Sequence, residues 1–254
     1  MNPSIRALTA AVACGLVLAG CGGTKILKQP GAFTPAAPLA SGADAQLVAM
    51  LDWVIVRDGQ GTWARNADWD EYLLTVHNRS AAPLQIVSVS VIDSLGETIR
   101  SDKERSRLVK ASRRTSKRYK GEGIEVKAGA SSEALLATGA IAGGLAYGAG
   151  ATLAVAGGGS AMAAGALGGL VLGPALVVGA LVKSSNEKEV AAEIRRRHAA
   201  LPIELQPGES RALALFFPIA PAPRSVELLY AGAEGPQVVS IDTGPVLAGL
   251  HLAK

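Results

Sequence analysis

The sequence predicts a mainly β chain: one sandwich, split by a long insertion whose centre is a pair of uncharged helices. Three observations carry this expectation. Short β-branched or aromatic runs cluster in residues 46–99 and again in 201–250. Pro, Gly, Asn and Ser punctuate both sets at turn-like intervals. Between them, residues 134–182 hold no charged side chain, in a chain whose formal net charge is +4.

Residues 1–20 carry one early positive charge, Arg6, then the uncharged run AVACGLVLAG, which places small residues ahead of Cys21. A basic start, a short apolar centre and small residues at the cut are the layout of a secretory signal. The stretch LAGC at Leu18 to Cys21 resembles the lipobox of bacterial lipoproteins. That resemblance implies that Cys21 is acylated and becomes the mature N-terminus. The other cysteine, Cys14, lies inside the apolar run, so the mature chain would hold no disulfide and no cysteine-based metal site. In that family an Asp after the acylated cysteine favours the inner membrane. Gly22 here implies lipid anchoring in the outer membrane, facing the periplasm. Residues 21–45, rich in Pro, Gly and Ala, read as a flexible linker.

The first β-set comprises LVAMLDWVIVRD, EYLLTVHNRS and PLQIVSVSVID, and the second PIELQPGESRALALFFPIAP, RSVELLYAG and PQVVSIDTG. Within them QIVSVSV alternates apolar and polar residues with period two, as a half-buried strand does. The two sets add up to about one hundred residues, the size of a single immunoglobulin-like sandwich. VHNRSAAPLQIVSVSVID and LQPGESRALALFFP are similar to strand pairs of bacterial immunoglobulin-like domains. The resemblance implies a discontinuous immunoglobulin-like β-sandwich over 46–99 and 201–250, interrupted by an α-helical membrane hairpin. Two separate small β-units fit the same pattern.

The insertion opens with a basic segment, 100–133, in which residues 100–127 carry eleven Lys/Arg against four Asp/Glu. If residues 102–120 are helical, Leu108, Ser112, Thr115 and Tyr119 share one face among cations, with Arg105, Arg107, Lys110, Arg113, Arg114, Lys117 and Arg118 placed to meet anionic lipid headgroups. A solvated loop fits equally. Nucleic acid does not suit an exported chain. The uncharged hairpin follows at 134–183, with GGGS at 157–160 as its reversal. Each arm of about 22 residues spans roughly 33 Å as a helix, enough for a hydrocarbon core of about 30 Å. Small residues recur every fourth position, at Ala140, Gly144 and Gly148 in the first arm and Ala161, Gly165, Gly169 and Gly173 in the second. Such a face lets two backbones approach closely inside a membrane. It is similar to the glycine-zipper hairpins of bacterial envelope proteins. In water, so many helical glycines at about 1 kcal/mol each would be hard to sustain. Residues 184–200 read as an amphipathic helix, with Ser184 and Glu187 as a capping box and Arg195, Arg196 and Arg197 at its end.

No catalytic constellation emerges. His77, His198 and His251 lack ligand spacing to one another, and no phosphate-loop or nucleophile-elbow motif occurs. Asp68, Asp70 and Glu71 read better as a loop entering a strand than as a cation site. The chain is therefore expected to be no enzyme and to need no cofactor or metal. Its expected partners are membrane lipids, further copies of itself and other envelope proteins, without nucleic acid. Two functions suit these features: an anchored module that supports an envelope or secretion assembly, or a pore-forming oligomer built from the hairpin. The scarcity of polar residues in either arm disfavours a wide aqueous pore.

Overall fold

A computed structural model describes residues 23–30, 34–136 and 182–253. The sequence alternation is realised in strands β1 (Lys25–Ile26), β2 (Ala40–Ala43), β3 (Leu47–Ile55), β4 (Ala64–Arg65), β5 (Trp69–Asn78), β6 (Leu84–Ile92) and β7 (Thr98–Arg100). Helices α1 (Arg105–Gly121) and α2 (Val182–Arg197) follow. The chain then returns through β8 (Ile203–Leu205), β9 (Ser210–Pro218), β10 (Ser225–Gly232) and β11 (Gly235–Asp242), and ends near the short helix α3 (Gly244–Leu247).

The strands make antiparallel sheets stacked as a sandwich. One sheet has the order β2-β3-β5-β9; the other runs β11-β10-β6-β7, with β8 also paired to β6. The two halves of the sequence interleave: β5 pairs with β9 along its whole length, from Trp69 opposite Pro218 to His77 opposite Ser210, and β6 pairs with β10. The C-terminal half thus supplies the edge strand β9 of one sheet and the central strand β10 of the other, so both sheets are built from both halves.

Alternate side chains of both sheets fill one core. Leu51, Val54, Tyr72, Leu74 and Val76 come from one sheet, and Ile86, Val89, Val226, Leu228 and Tyr230 from the other. At one margin the sheets nearly touch: a methyl group on Gly42 would lie 2.1 Å from the Ser240 carbonyl oxygen. Only a residue without Cβ lets β2 and β11 approach so closely.

Two stretches of the linker expected over 21–45 are docked. Lys25–Ile26 pairs with Ala64–Arg65, and Ala40–Ala43 forms the edge strand on β3. Its composition hid this, because β2 reads only ASGA and gains its place from β3's unpaired edge. The basic segment is no loop. Helix α1 turns Leu108, Ser112, Thr115 and Tyr119 inward, so the stripe expected to meet lipid is buried against the protein's own strands. Leu108 joins Trp63, Trp69, Phe216, Val190 and Ile194 in a second core that binds α1 and α2 to the sandwich.

The insertion's boundaries also shift. Residues 132–136 form a helical turn with Leu136 buried in the main core, so residues 134–136, expected to open the hairpin, pack with the sandwich. Helix α2 already includes Val182 and Lys183, which places Ser184 within the helix and not at its cap. The remaining hairpin residues, among them Ala140, Gly144, Gly148, Ala161, Gly165, Gly169 and Gly173, lie outside the described residues, as does Cys21. Among the described residues no helix is long and apolar enough to cross a membrane.

Candidate functional site

Three chain segments converge on the connection between β3 and β5, residues 56–68. Strand β1 pairs with β4 inside this connection, and the Leu27 amide donates to the Trp63 carbonyl oxygen at 2.9 Å. Gly129, on the descending side of the insertion, packs so tightly that an added Cβ would lie 2.3 Å from the Arg57 carbonyl oxygen. Its φ of +77° also favours glycine. The α2 residue Arg197 stacks its guanidinium over the Trp63 ring at 4.9 Å. The first described residues and both stems of the insertion thus meet at one end of the sandwich.

Arg105, in the first turn of α1, ties two of these segments together. Its Nη2 donates to Thr24 Oγ1 at 3.1 Å, its Nη1 lies 3.5 Å from Glu187 Oε2 on α2, and its guanidinium sits 6.0 Å from the Trp69 ring centroid. Thr24 in turn donates to the Asn66 carbonyl oxygen at 3.2 Å.

Two buried carboxylates secure the same end. Glu71 accepts from Trp63 Nε1 at 2.7 Å and faces Arg197 at 3.4 Å. Burial pushes its pKa up, and the charge of Arg197 and the indole bond oppose that rise. Asp70 Oδ2 lies 2.8 Å from Nε2 of the buried His251, whose Nδ1 accepts the Gly129 amide at 3.0 Å. The Gly129 N–H makes Nδ1 an acceptor, which leaves Nε2–H to donate to Asp70. Both acids thereby bind side chains from other parts of the chain. Among the described residues no cluster of three His, Cys, Asp or Glu is placed to hold a metal ion.

The seven cations expected at a membrane surface divide in the structure. Arg105 is held as described, Arg107 lies on Asp102 with Nε at 2.7 Å, and Arg118 pairs with the buried Asp93 and reaches Glu97 at 3.6 Å. Lys110, Arg113, Arg114 and Lys117 remain exposed without an ion pair among the described residues. Between α1 and β7 runs an open groove of about 730 Å³, whose charged lining is Arg107, Lys110, Arg114 and Arg118 from the helix and Glu97, Arg100 and Asp102 from the β7 side. Arg100 was invisible as part of this site because only the pairing of β7 with β6 brings it opposite α1.

No family model, curated protein or solved structure matches the chain.

Proposed function

We propose that the chain is a lipid-anchored, non-enzymatic protein of the bacterial cell envelope. In this reading an immunoglobulin-like β-sandwich stands in the periplasm, and a glycine-zipper hairpin within residues 137–181 enters the outer membrane and self-associates. The assembled hairpins would support an envelope or secretion complex.

The observation that carries this reading is the convergence at Arg105. Cys21 precedes Thr24 by three residues, a reach of at most about 11 Å. Val182 precedes Glu187 by five helical residues, about 7.5 Å of rise. Both Thr24 and Glu187 contact the Arg105 guanidinium. A lipid on Cys21 and the end of the uncharged segment would therefore reach the same bilayer from the same end of the sandwich. A sandwich with these two points at opposite ends would have to span the periplasmic face awkwardly.

Protease added to spheroplasts tests the topology. The β-sandwich should be digested while a fragment covering most of residues 137–181 survives in the membrane fraction. Complete digestion through that segment would remove the embedded hairpin. Mass spectrometry of the mature N-terminus tests the anchor separately, with diacylglyceryl-modified Cys21 as the expected species.

A further inference from the structure

Helix α1 sorts its cations into two rows. Arg107, Lys110, Arg114 and Arg118 recur at three- and four-residue spacing and line the groove facing β7, while Arg113, Lys117 and Lys120 are outside its lining and exposed. Two of the groove cations are already neutralised. Asp102 takes Arg107 in a fork, with Nη2 at 2.9 Å as well as Nε at 2.7 Å, and Arg118 faces Asp93 and Glu97. Those pairs hold the ends of the wall in place. Arg100, Lys110 and Arg114 keep no acidic partner among the described residues, so three unneutralised cations share one concave surface.

Like charges at four-residue spacing, as in Lys110 and Arg114, disfavour the helix that carries them. They are tolerable when an anion bridges them. A single carboxylate would answer one of the three charges. A phosphate group brings up to about two negative charges and several acceptor oxygens, and matches the planar donor fork of arginine. The groove's volume of about 730 Å³ exceeds what one phosphate group fills and falls within the roughly 300–1,000 Å³ common for small-molecule sites.

We propose that the groove between β7 and α1 is a binding site for a phosphate-bearing ligand, held by Arg100, Lys110 and Arg114. This site requires only the folded α1–β7 corner and stands whether or not the hairpin is embedded.

The experiment uses the full chain in neutral maltoside micelles and two probes. Equilibrium dialysis with labelled pyrophosphate reads the soluble source. Native mass spectrometry of micelles doped with short-chain phosphatidylglycerol, or with a short-chain diacylglycerol that lacks phosphate, reads the lipid source. Two variants of equal charge change are compared: R100Q/K110Q/R114Q in the groove and R113Q/K117Q/K120Q outside it. The groove variant should lose affinity by at least about tenfold and the outer variant by less than about threefold, since charge-assisted contacts exceed diffuse attraction. Removing like charges should leave the melting temperature of the groove variant unchanged or raised, which establishes that it folds.

Binding of both probes supports recognition of the phosphate group itself. Phosphatidylglycerol without pyrophosphate identifies a lipid headgroup, and pyrophosphate without phosphatidylglycerol a soluble phosphorylated compound. The proposal is overturned if neither probe binds, if the phosphate-free diacylglycerol binds as well as phosphatidylglycerol, or if the two triple variants lose affinity equally. Protease protection of the hairpin is unaffected by any of these outcomes, so failure of the groove and failure of the membrane topology are separable.

Discussion

Ser112 joins three chain segments through one hydroxyl. Its Oγ lies 2.6 Å from the Asp68 carbonyl oxygen, to which it donates, and accepts the buried Ile219 amide at 2.9 Å. Its position on the inward face of α1 was legible from spacing with Leu108, Thr115 and Tyr119, whereas its partners, 44 and 107 residues away, were not. Ser112→Ala leaves a buried N–H and a part-buried carbonyl without this partner, and should destabilise the protein by about 1–3 kcal/mol. The exposed Lys117→Ala, one turn further, should stay within about 0.5 kcal/mol. Urea unfolding of the full chain in neutral detergent, followed by tryptophan fluorescence, checks both. Equal effects would sink the assignment of Ser112 as a clasp.

At the scale of elements, α2 is held against the sandwich by Val190 and Ile194 in the second core, and its last turn is braced within the helix by Glu193. Glu193 accepts Arg196 Nε at 2.8 Å and Arg197 Nε at 2.7 Å, and the bond from Arg196 leads the causes that lower its pKa from 4.5 to about 2. A depressed carboxylate pKa stabilises the folded state above the unfolded value and loses that stabilisation as pH falls through the folded one. Glu193→Gln should therefore be less stable than the parent at pH 6, and the difference should close as pH falls from 4.5 towards about 2. Glu71, raised first by burial and last by the Glu193 charge, titrates with the opposite sign in both proteins, and the variant removes only that last contribution. A stability gap that persists undiminished at pH 2 would mean that Glu193 acts through packing and not through its charge. The helix itself was legible from its acids, late arginines and following Pro202. Its first turn was misplaced because a Ser-x-x-Glu pattern marks a helix start only where the chain is not already helical.

For the whole molecule, the proposed assembly rests on the small-residue row Ala161, Gly165, Gly169 and Gly173. Replacing Gly165 and Gly169 by Leu adds bulk where helices would meet and makes the segment more apolar, so insertion and association are separated. The double variant should remain in the membrane fraction while losing crosslinked oligomers. Substitution of Leu170 and Val178 by Ala, outside that row, should leave the oligomers intact. Unchanged crosslinking in the Gly165/Gly169 variant would assign those glycines to packing within a single hairpin.

The sequence by itself determined the strand runs, the turn punctuation and the uncharged segment, because period-two alternation, turn chemistry and charge exclusion are local properties. Every quoted run contains a strand: QIVSVSV lies in β6 and RSVELLYAG in β10. Only the tertiary structure decided which strands pair, that Lys25–Ile26 and Ala40–Ala43 are bound to the sandwich, and that α1 spends its apolar stripe on Trp69 and Phe216 in place of lipid. An amphipathic helix carries the same pattern whether its apolar face meets a bilayer or a sheet. The same limit applies to charge. Eleven cations in residues 100–127 were countable from the start, but the buried Asp93 and the neighbouring Asp102 decide which are neutralised, and the pairing of β7 with β6 decides which face one groove.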